Sequence, residues 1–104
     1  MTRLGMLAHG RAGDKGDTTT LSVIARDPAD YDRLRSAVTA ERVEAHLCGD
    51  VSGRFTRFEL PGLGALHFVG RGVLGSGVTT SLALDSHGKS LSSALLDLEL
   101  PENR

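Results

Sequence analysis

The sequence predicts an α+β fold, in which a mainly antiparallel or mixed sheet is covered by helices on one face. Segments of alternating or β-branched apolar residues, typical of strands, occur near the N-terminus and again in the second half of the chain. Segments with helical periodicity lie between these two groups and at the C-terminal end. Strands and helices that are grouped apart, rather than strictly alternating, favour this two-layer architecture.

Composition limits both the size and the class of the protein. The chain has 104 residues, which predicts one domain over 1–104. Its 12 basic and 13 acidic residues are interspersed, so no electrostatic footprint for nucleic acid is expected. The single cysteine, Cys48, excludes an internal disulfide and is typical of a reducing cytosol. No apolar run approaches the ~20 residues that cross a bilayer. We therefore expect a cytoplasmic protein that binds neither nucleic acid nor membrane.

The N-terminal quarter predicts two strands around a glycine-rich loop. Residues 3–9 form the first expected strand, and residues 10–17 contain the glycines and charges of the loop. Residues 18–26 are rich in β-branched side chains and predict the second strand. A helix stays possible there, because Leu21 and Ile24 also fit one helical face.

Two helices are expected next. Asp27 before Pro28 is a favourable helix start, because proline lacks the N–H that a first turn leaves unpaired. Thr39 is placed to cap a second helix over 40–47, with Glu41 in its first turn. The expected inward side chains are Tyr31, Leu34 and Val38 on the first helix, and Val43 and Leu47 on the second.

The second half of the chain predicts a hairpin, a further strand and a helix. Residues 54–60 and 65–70 alternate and are joined by the turn residues Pro-Gly-Leu-Gly. Residues 78–85 also alternate, and residues 89–100 follow as a helix. The stripe expected to be buried on this last helix is Leu91, Ala94, Leu95 and Leu98.

Three familiar kinds of site are excluded by spacing. The Gly-Lys-Ser at 88–90 lacks the earlier glycine of a phosphate-binding loop, because Ala83 stands at that position. The four histidines and Cys48 have none of the spacings that bring two ligands to one metal ion. There is no Gly-x-Ser-x-Gly nucleophile elbow. We therefore expect no metal site and no cofactor.

Two glycine-dense segments remain as candidates, "GRAGDKGDTTT" at 10–20 and "GRGVLGSGVTTS" at 70–81. Successive glycines let backbone N–H groups converge on an anion, because the chain can adopt positive φ and approach closely. Lys15 would add positive charge, whereas Asp14 and Asp17 cancel it and could instead form a structural ion-pair clasp. On the residues alone, the ligand site and the clasp both stay open.

Most of the chain resembles a known family. The matching stretches are "GRAGDKGDTTTLSVIAR", "VTAERVEAHL" and "FELPGLGALHFVGRGVLGSGVTTSLALDSHGKSLSSALLDLEL". Together they are similar to the small C-terminal domain of AtuA-like proteins, which follows a larger domain and is described as a ferredoxin-like fold. The departures are Gly10 in place of alanine, Ala12 in place of serine and His67 in place of asparagine. AtuA takes its name from acyclic terpene utilisation.

The resemblance implies a stand-alone small subunit of an AtuA-like catabolic enzyme. Its expected partners are a large AtuA-like chain, further copies of itself, or both, and its ligand class is acyl-CoA or branched carboxylic compounds. Any activity would belong to a composite site of hydratase or lyase type. The alternatives are a non-catalytic scaffold and a homodimeric protein that binds small anions.

Our hypothesis for the composite site places the two glycine-dense segments together at a face that meets the partner. The expected catalytic residues are Lys15, Asp14 and Asp17. Lys15 would bind a substrate carboxylate or thioester oxygen, and one aspartate would orient it or transfer a proton. The expected substrate-binding residues are Arg11, Gly13, Gly16, Thr18, Gly75, Gly77 and Thr79.

Overall fold

The computed structural model of the protein describes residues 2–15, 18–49, 51–72 and 91–101, and at residues 14 and 15 it describes the backbone alone. The described strands are β1 (Thr2–Arg3), β2 (Ala8–Lys15), β3 (Thr18–Ala25), β4 (Phe55–Leu60), β5 (Ala65–Arg71) and β6 (Glu99–Leu100). The described helices are α1 (Tyr31–Ala37), α2 (Ala40–Cys48) and α3 (Leu91–Leu96).

The main sheet has four described strands in the order β2–β3–β5–β4, and each neighbouring pair is antiparallel. Lys15 pairs with Thr18, so two residues connect β2 to β3. At the other hairpin, Leu60 pairs with Ala65 across a short 3-10 helix, Pro61–Leu63. A separate two-stranded sheet pairs β1 with β6. The expected hairpin and the expected strand over 18–26 are confirmed, and the helical alternative for the latter is wrong.

The helices pack on one face of the main sheet and form the core there. Buried side chains of β3 and β5 meet buried side chains of all three helices in one cluster. Its central members are Leu21, Val23, Leu66 and Phe68 from the sheet, and Leu34, Val43, Leu47 and Leu95 from the helices. This arrangement confirms the α+β class, with an antiparallel sheet and helices on one of its faces.

The expected signals at the ends of the helices are confirmed. The Asp27 carboxylate accepts a hydrogen bond from the N–H of Ala29 at 3.0 Å, and the turn that it begins leads directly into α1. The Thr39 hydroxyl accepts from the N–H of Arg42 at 3.1 Å and caps α2. Gly49 ends α2 with a φ of +82°, a left-handed conformation that glycine adopts without strain.

The expected strand over 3–9 is wrong, and so is the expected loop over most of residues 10–17. Leu4–Met6 form a 3-10 helix, and β2 begins only at Ala8 but continues through the glycine-rich stretch to Lys15. Gly10 does not interrupt this strand because it packs closely against α3, where a Cβ would lie 3.1 Å from the Leu96 side chain. Glycine at this position therefore permits the approach of a helix rather than a turn of the chain.

The expected helix over 89–100 is too long. Its described part ends at Leu96, and Glu99–Leu100 instead form the strand that pairs with Thr2–Arg3. The N–H of Leu4 donates to the carbonyl of Leu98 at 2.8 Å, so cross-strand hydrogen bonds replace the last helical turn. The strand expected at 78–85 and the Gly-Lys-Ser segment lie outside the described residues.

Candidate functional site

The second face of the main sheet, opposite the helices, carries Arg11, Gly13 and Thr18, three of the residues that the sequence suggested for function. We call it the open face, and it consists of the odd-numbered positions of β2 and β5 and the even-numbered positions of β3 and β4. Strand alternation sends these positions away from the core. The described helices all pack on the opposite face.

One end of the open face brings the two glycine-dense segments side by side. Thr18 pairs with Lys15 on one side and with Arg71 on the other, so these three positions form one row across the sheet. In the next row, Thr19 pairs with Gly70. The start of the segment at 70–81 therefore lies beside the end of the β2–β3 hairpin.

The expected site residues divide into three groups by what the structure describes. Arg11 and Gly13 lie on β2, where Arg11 is exposed and the carbonyl of Gly13 accepts from the Thr20 hydroxyl at 3.3 Å. Thr18 is half-buried at the start of β3. Asp14 and Lys15 are described by their backbone alone, as the last two residues of β2. The remaining five lie outside the described residues, namely Gly16, Asp17, Gly75, Gly77 and Thr79.

The middle row of the open face contains a hydrogen-bonded serine and histidine, which sequence analysis did not connect. Ser22 pairs with Arg11 on one side and with His67 on the other, and Phe58 pairs with His67 at the edge. The Ser22 Oγ and the His67 Nδ1 are 2.9 Å apart and partly buried. Two strands that are 45 residues apart in the chain supply this pair, so only the register of the sheet reveals it.

Basic side chains and exposed apolar side chains of the open face lie on opposite outer strands of the four described ones. Its edge strand β2 carries the exposed side chains of His9 and Arg11. The other edge strand, β4, carries Phe58, which is 49% exposed, and Leu60, which is 38% exposed. None of the acidic side chains that the structure describes occupies an open-face position.

A buried carboxylate forms the strongest polar cluster among the described residues, on the other side of the molecule. Glu44 of α2 is 1% exposed and accepts hydrogen bonds from the backbone N–H groups of Ser52, Gly53 and Arg54. The Arg54 guanidinium also donates to it, at 2.7 Å. Burial alone would raise the pKa of Glu44, but these hydrogen bonds outweigh burial and lower its pKa. All partners belong to the chain itself, which makes the cluster a structural support for the loop before β4.

The side chains of Arg57 and His46 form hydrogen bonds with backbone carbonyls of helices or helix ends. Arg57 of β4 donates to the carbonyl of Arg35 at 2.6 Å and to that of Val38 at 2.9 Å, which satisfies acceptors at the end of α1. The Nε2 of His46 lies 2.7 Å from the carbonyl of Ala94 in α3. This hydrogen bond gives His46 a structural partner.

The part of the chain that the structure describes contains no group of three or more histidine, cysteine, aspartate or glutamate side chains that could hold a metal ion. Among its described helices, none combines the length and the apolar character needed to span a membrane.

The comparisons with known proteins identify a family but no characterised relative. The profile of the AtuA ferredoxin-like domain matches residues 2–101, which is nearly the whole chain. No curated protein and no solved structure matches the chain significantly. The match includes all of the described strands and helices, in agreement with the resemblance of the sequence motifs and with the α+β architecture. The chain therefore belongs to the AtuA ferredoxin-like domain family.

Proposed function

We propose that this chain is the small component of an AtuA-like catabolic enzyme and completes an active site with a large AtuA-like chain. The observation that carries the proposal is the row Lys15–Thr18–Arg71, at which two segments that are distant in sequence meet at one end of the sheet. A shared site at this end would take a substrate with an anionic or carbonyl group, either an acyl-CoA or a branched carboxylic compound.

The proposed chemistry assigns different tasks to the charges of the hairpin. A hydratase or lyase adds or removes a proton beside a carbonyl, and negative charge then develops on the carbonyl oxygen. The ammonium of Lys15 stabilises that oxygen, and Asp14 or Asp17 orients the lysine or transfers the proton. Backbone N–H groups of Gly16, and later of Gly75 and Gly77, add donors for the same anion.

The hydroxyls and the remaining glycine of the predicted site have a supporting task in this proposal. Thr18, beside Lys15 in the sheet, and Thr79 donate hydrogen bonds to substrate oxygens. Gly13 keeps β2 free of a side chain two residues before Lys15, which leaves room for the substrate.

The test measures turnover by the complex with a large AtuA-like chain, with 3-methylbut-2-enoyl-CoA as the branched acyl-CoA probe. We expect Lys15→Ala to bind the large chain normally and to lower kcat/KM by about a hundredfold or more, the usual effect of removing one group that stabilises an oxyanion. Lys89→Ala is the matched control, because Lys89 is the only other lysine of the chain, and it should leave turnover unchanged.

Each other result contradicts a definite part of the proposal. Full turnover by Lys15→Ala would make the domain a scaffold for the large chain. Absence of a complex with the large chain would refute the subunit role, and a homodimer of the isolated chain in a size measurement would then favour the independent anion-binding protein.

A further inference from the structure

We propose that the open face is the surface that binds the large chain, and that the surface it binds is apolar opposite β4 and acidic opposite β2. This inference rests on the proposed function and adds to it the location and the chemistry of the interface. Its basis is the distribution of side chains on the open face. Exposed basic side chains lie on one outer described strand, and exposed apolar side chains lie on the other.

The apolar half is defined by two neighbouring side chains on one strand. Phe58 and Leu60 occupy successive open-face positions of β4, and both are more than a third exposed. Single exposed apolar residues are normal on protein surfaces, but an aromatic and a leucine side by side form a patch that association can bury. Aromatic side chains are also the commonest anchors of protein interfaces.

The basic half is defined by His9 and Arg11 of β2. Every acidic side chain that the structure describes lies off this face, although acidic residues slightly outnumber basic ones in the whole chain. The bound surface therefore needs carboxylates opposite β2, about 14 Å from the apolar patch, since three strand spacings separate the edges. In this arrangement Arg11 contacts the partner rather than the substrate.

A second copy of the chain does not fit these requirements. Two copies packed face to face would place Arg11 opposite either another basic edge or the apolar edge, depending on the direction of the two-fold axis. Neither arrangement offers a described carboxylate to Arg11. A different chain with an acidic surface meets the requirement, and this favours the large chain over self-association.

The centre of the open face is suited to being covered. The Ser22 hydroxyl and the His67 Nδ1 satisfy each other at 2.9 Å, and the Thr20 hydroxyl donates to the carbonyl of Gly13. Polar groups that are already paired lose little when a partner excludes water, whereas unpaired groups oppose burial. The face measures roughly 20 by 25 Å from strand spacing and rise, close in order of magnitude to the ~800 Å² that one side of a specific interface buries.

The experiment measures the affinity of this chain for the large AtuA-like chain by calorimetry at low and at high salt. Phe58→Ser and Arg11→Glu should each weaken binding about thirtyfold, the loss of ~2 kcal/mol that marks a residue important for binding. The Arg11→Glu effect should diminish at high salt, because salt screens the exposed charges. Met6→Ser and Arg42→Glu are the controls, since both positions are exposed and lie off the open face, and neither should change the affinity. Circular dichroism melts confirm that each variant is folded.

The outcomes separate this inference from the proposed function. Wild-type binding that neither Phe58→Ser nor Arg11→Glu weakens would overturn the docking surface and leave the subunit role intact. No binding by the wild type would overturn both. If Arg11→Glu instead abolished the binding of coenzyme A to the isolated chain and left the large chain bound, the basic edge would be a ligand surface and the inference would be wrong.

Discussion

Replacement of Glu44 by glutamine tests whether one buried carboxylate holds the loop before β4. The substitution preserves the shape of the side chain but removes its charge and converts one acceptor oxygen into a donor. Oε2 accepts from the N–H of Ser52 and from the Arg54 guanidinium, and Oε1 accepts from the N–H groups of Gly53 and Arg54. If the amide nitrogen replaces Oε2, the N–H of Ser52 and the Arg54 guanidinium lose this acceptor. If it replaces Oε1, the N–H of Gly53 loses its acceptor, whereas the N–H of Arg54 keeps Oε2 at 3.3 Å.

The expected loss of stability follows from these contacts. A buried donor without an acceptor costs about 1–3 kcal/mol, and the lower value applies here because residues 51–53 are exposed and water can reach the loop. One or two such donors give about 1–2 kcal/mol. Loss of the charge opposite Arg54, which is 17% exposed, adds about 1 kcal/mol, less than the 3–5 kcal/mol of a fully buried pair. The total of about 2–3 kcal/mol corresponds to a Tm lower by roughly 8–24 °C.

Thermal and urea unfolding of Glu44→Gln, followed by circular dichroism at pH 7, measures this loss. Glu41→Gln is the control, because Glu41 lies on the same helix but is exposed, and it should lose no more than the ~0.3–1 kcal/mol of a first-turn charge. If the two variants lost the same stability, the hydrogen bonds of Glu44 would be replaceable by water and the reasoning would fail.

The other two predictions concern pH and packing. Because the pKa of Glu44 is lowered in the folded protein, its contribution to stability is present above the unfolded pKa of about 4.3 and is lost as pH falls through the folded pKa. Between pH 7 and pH 3, the Tm of the wild type should therefore fall further than the Tm of Glu44→Gln. Parallel falls of the two Tm values would contradict a lowered pKa of Glu44. Gly10→Val should destabilise the fold by about 1–3 kcal/mol through contact with Leu96. Gly13→Val, at an exposed position, should cost less in the same unfolding assay, and equal losses would argue against the packing explanation.

The starts of α1 and α2 were predicted well, because the residues that cap each helix lie next to it in the sequence. Asp27 before Pro28, and Thr39 three residues before Arg42, are capping patterns that act within one turn, and the structure contains both hydrogen bonds. The hairpin of β4 and β5 was predictable for the same reason, since four turn residues separate two alternating segments. In each case the sequence pattern and the stabilising contact span only a few residues.

The ends of the chain were predicted wrongly because long-range contacts decide their structure. Leu98 is buried, as the helical stripe predicts. Its carbonyl, however, accepts a hydrogen bond from the N–H of Leu4, beside the pairing of β1 with β6. No pattern within residues 89–100 reveals that Thr2 and Arg3 are available as partners. Tertiary pairing thus overrides helical periodicity in the last turn.

On the open face, too, the orientation of single residues was predictable from the sequence, whereas contacts between strands were not. The alternation of residues 65–70 requires His67 to lie on the face opposite Leu66 and Phe68, and His67 lies there. Its contact with Ser22 was not predictable, because that contact depends on the register between β3 and β5. The alternation of β4 was also predicted, yet only the sheet order reveals that Phe58 lies on the face opposite the described helices.

The glycines that first suggested a loop fall into two groups with different physical causes. Gly10 is explained by packing, because a Cβ there would lie 3.1 Å from the Leu96 side chain, and Leu96 also lies within 3.3 Å of a Cβ at Gly5, before the stretch. A Cβ at Gly13 would meet only the exposed hydroxyl of Thr20, so packing against α3 does not require glycine there. Packing thus accounts for the beginning of the glycine-rich stretch, whereas the ligand site and the ion-pair clasp both concern its end, where Lys15 pairs with Thr18. Lys15→Ala, rather than any change earlier in β2, is therefore the variant that tests the shared site.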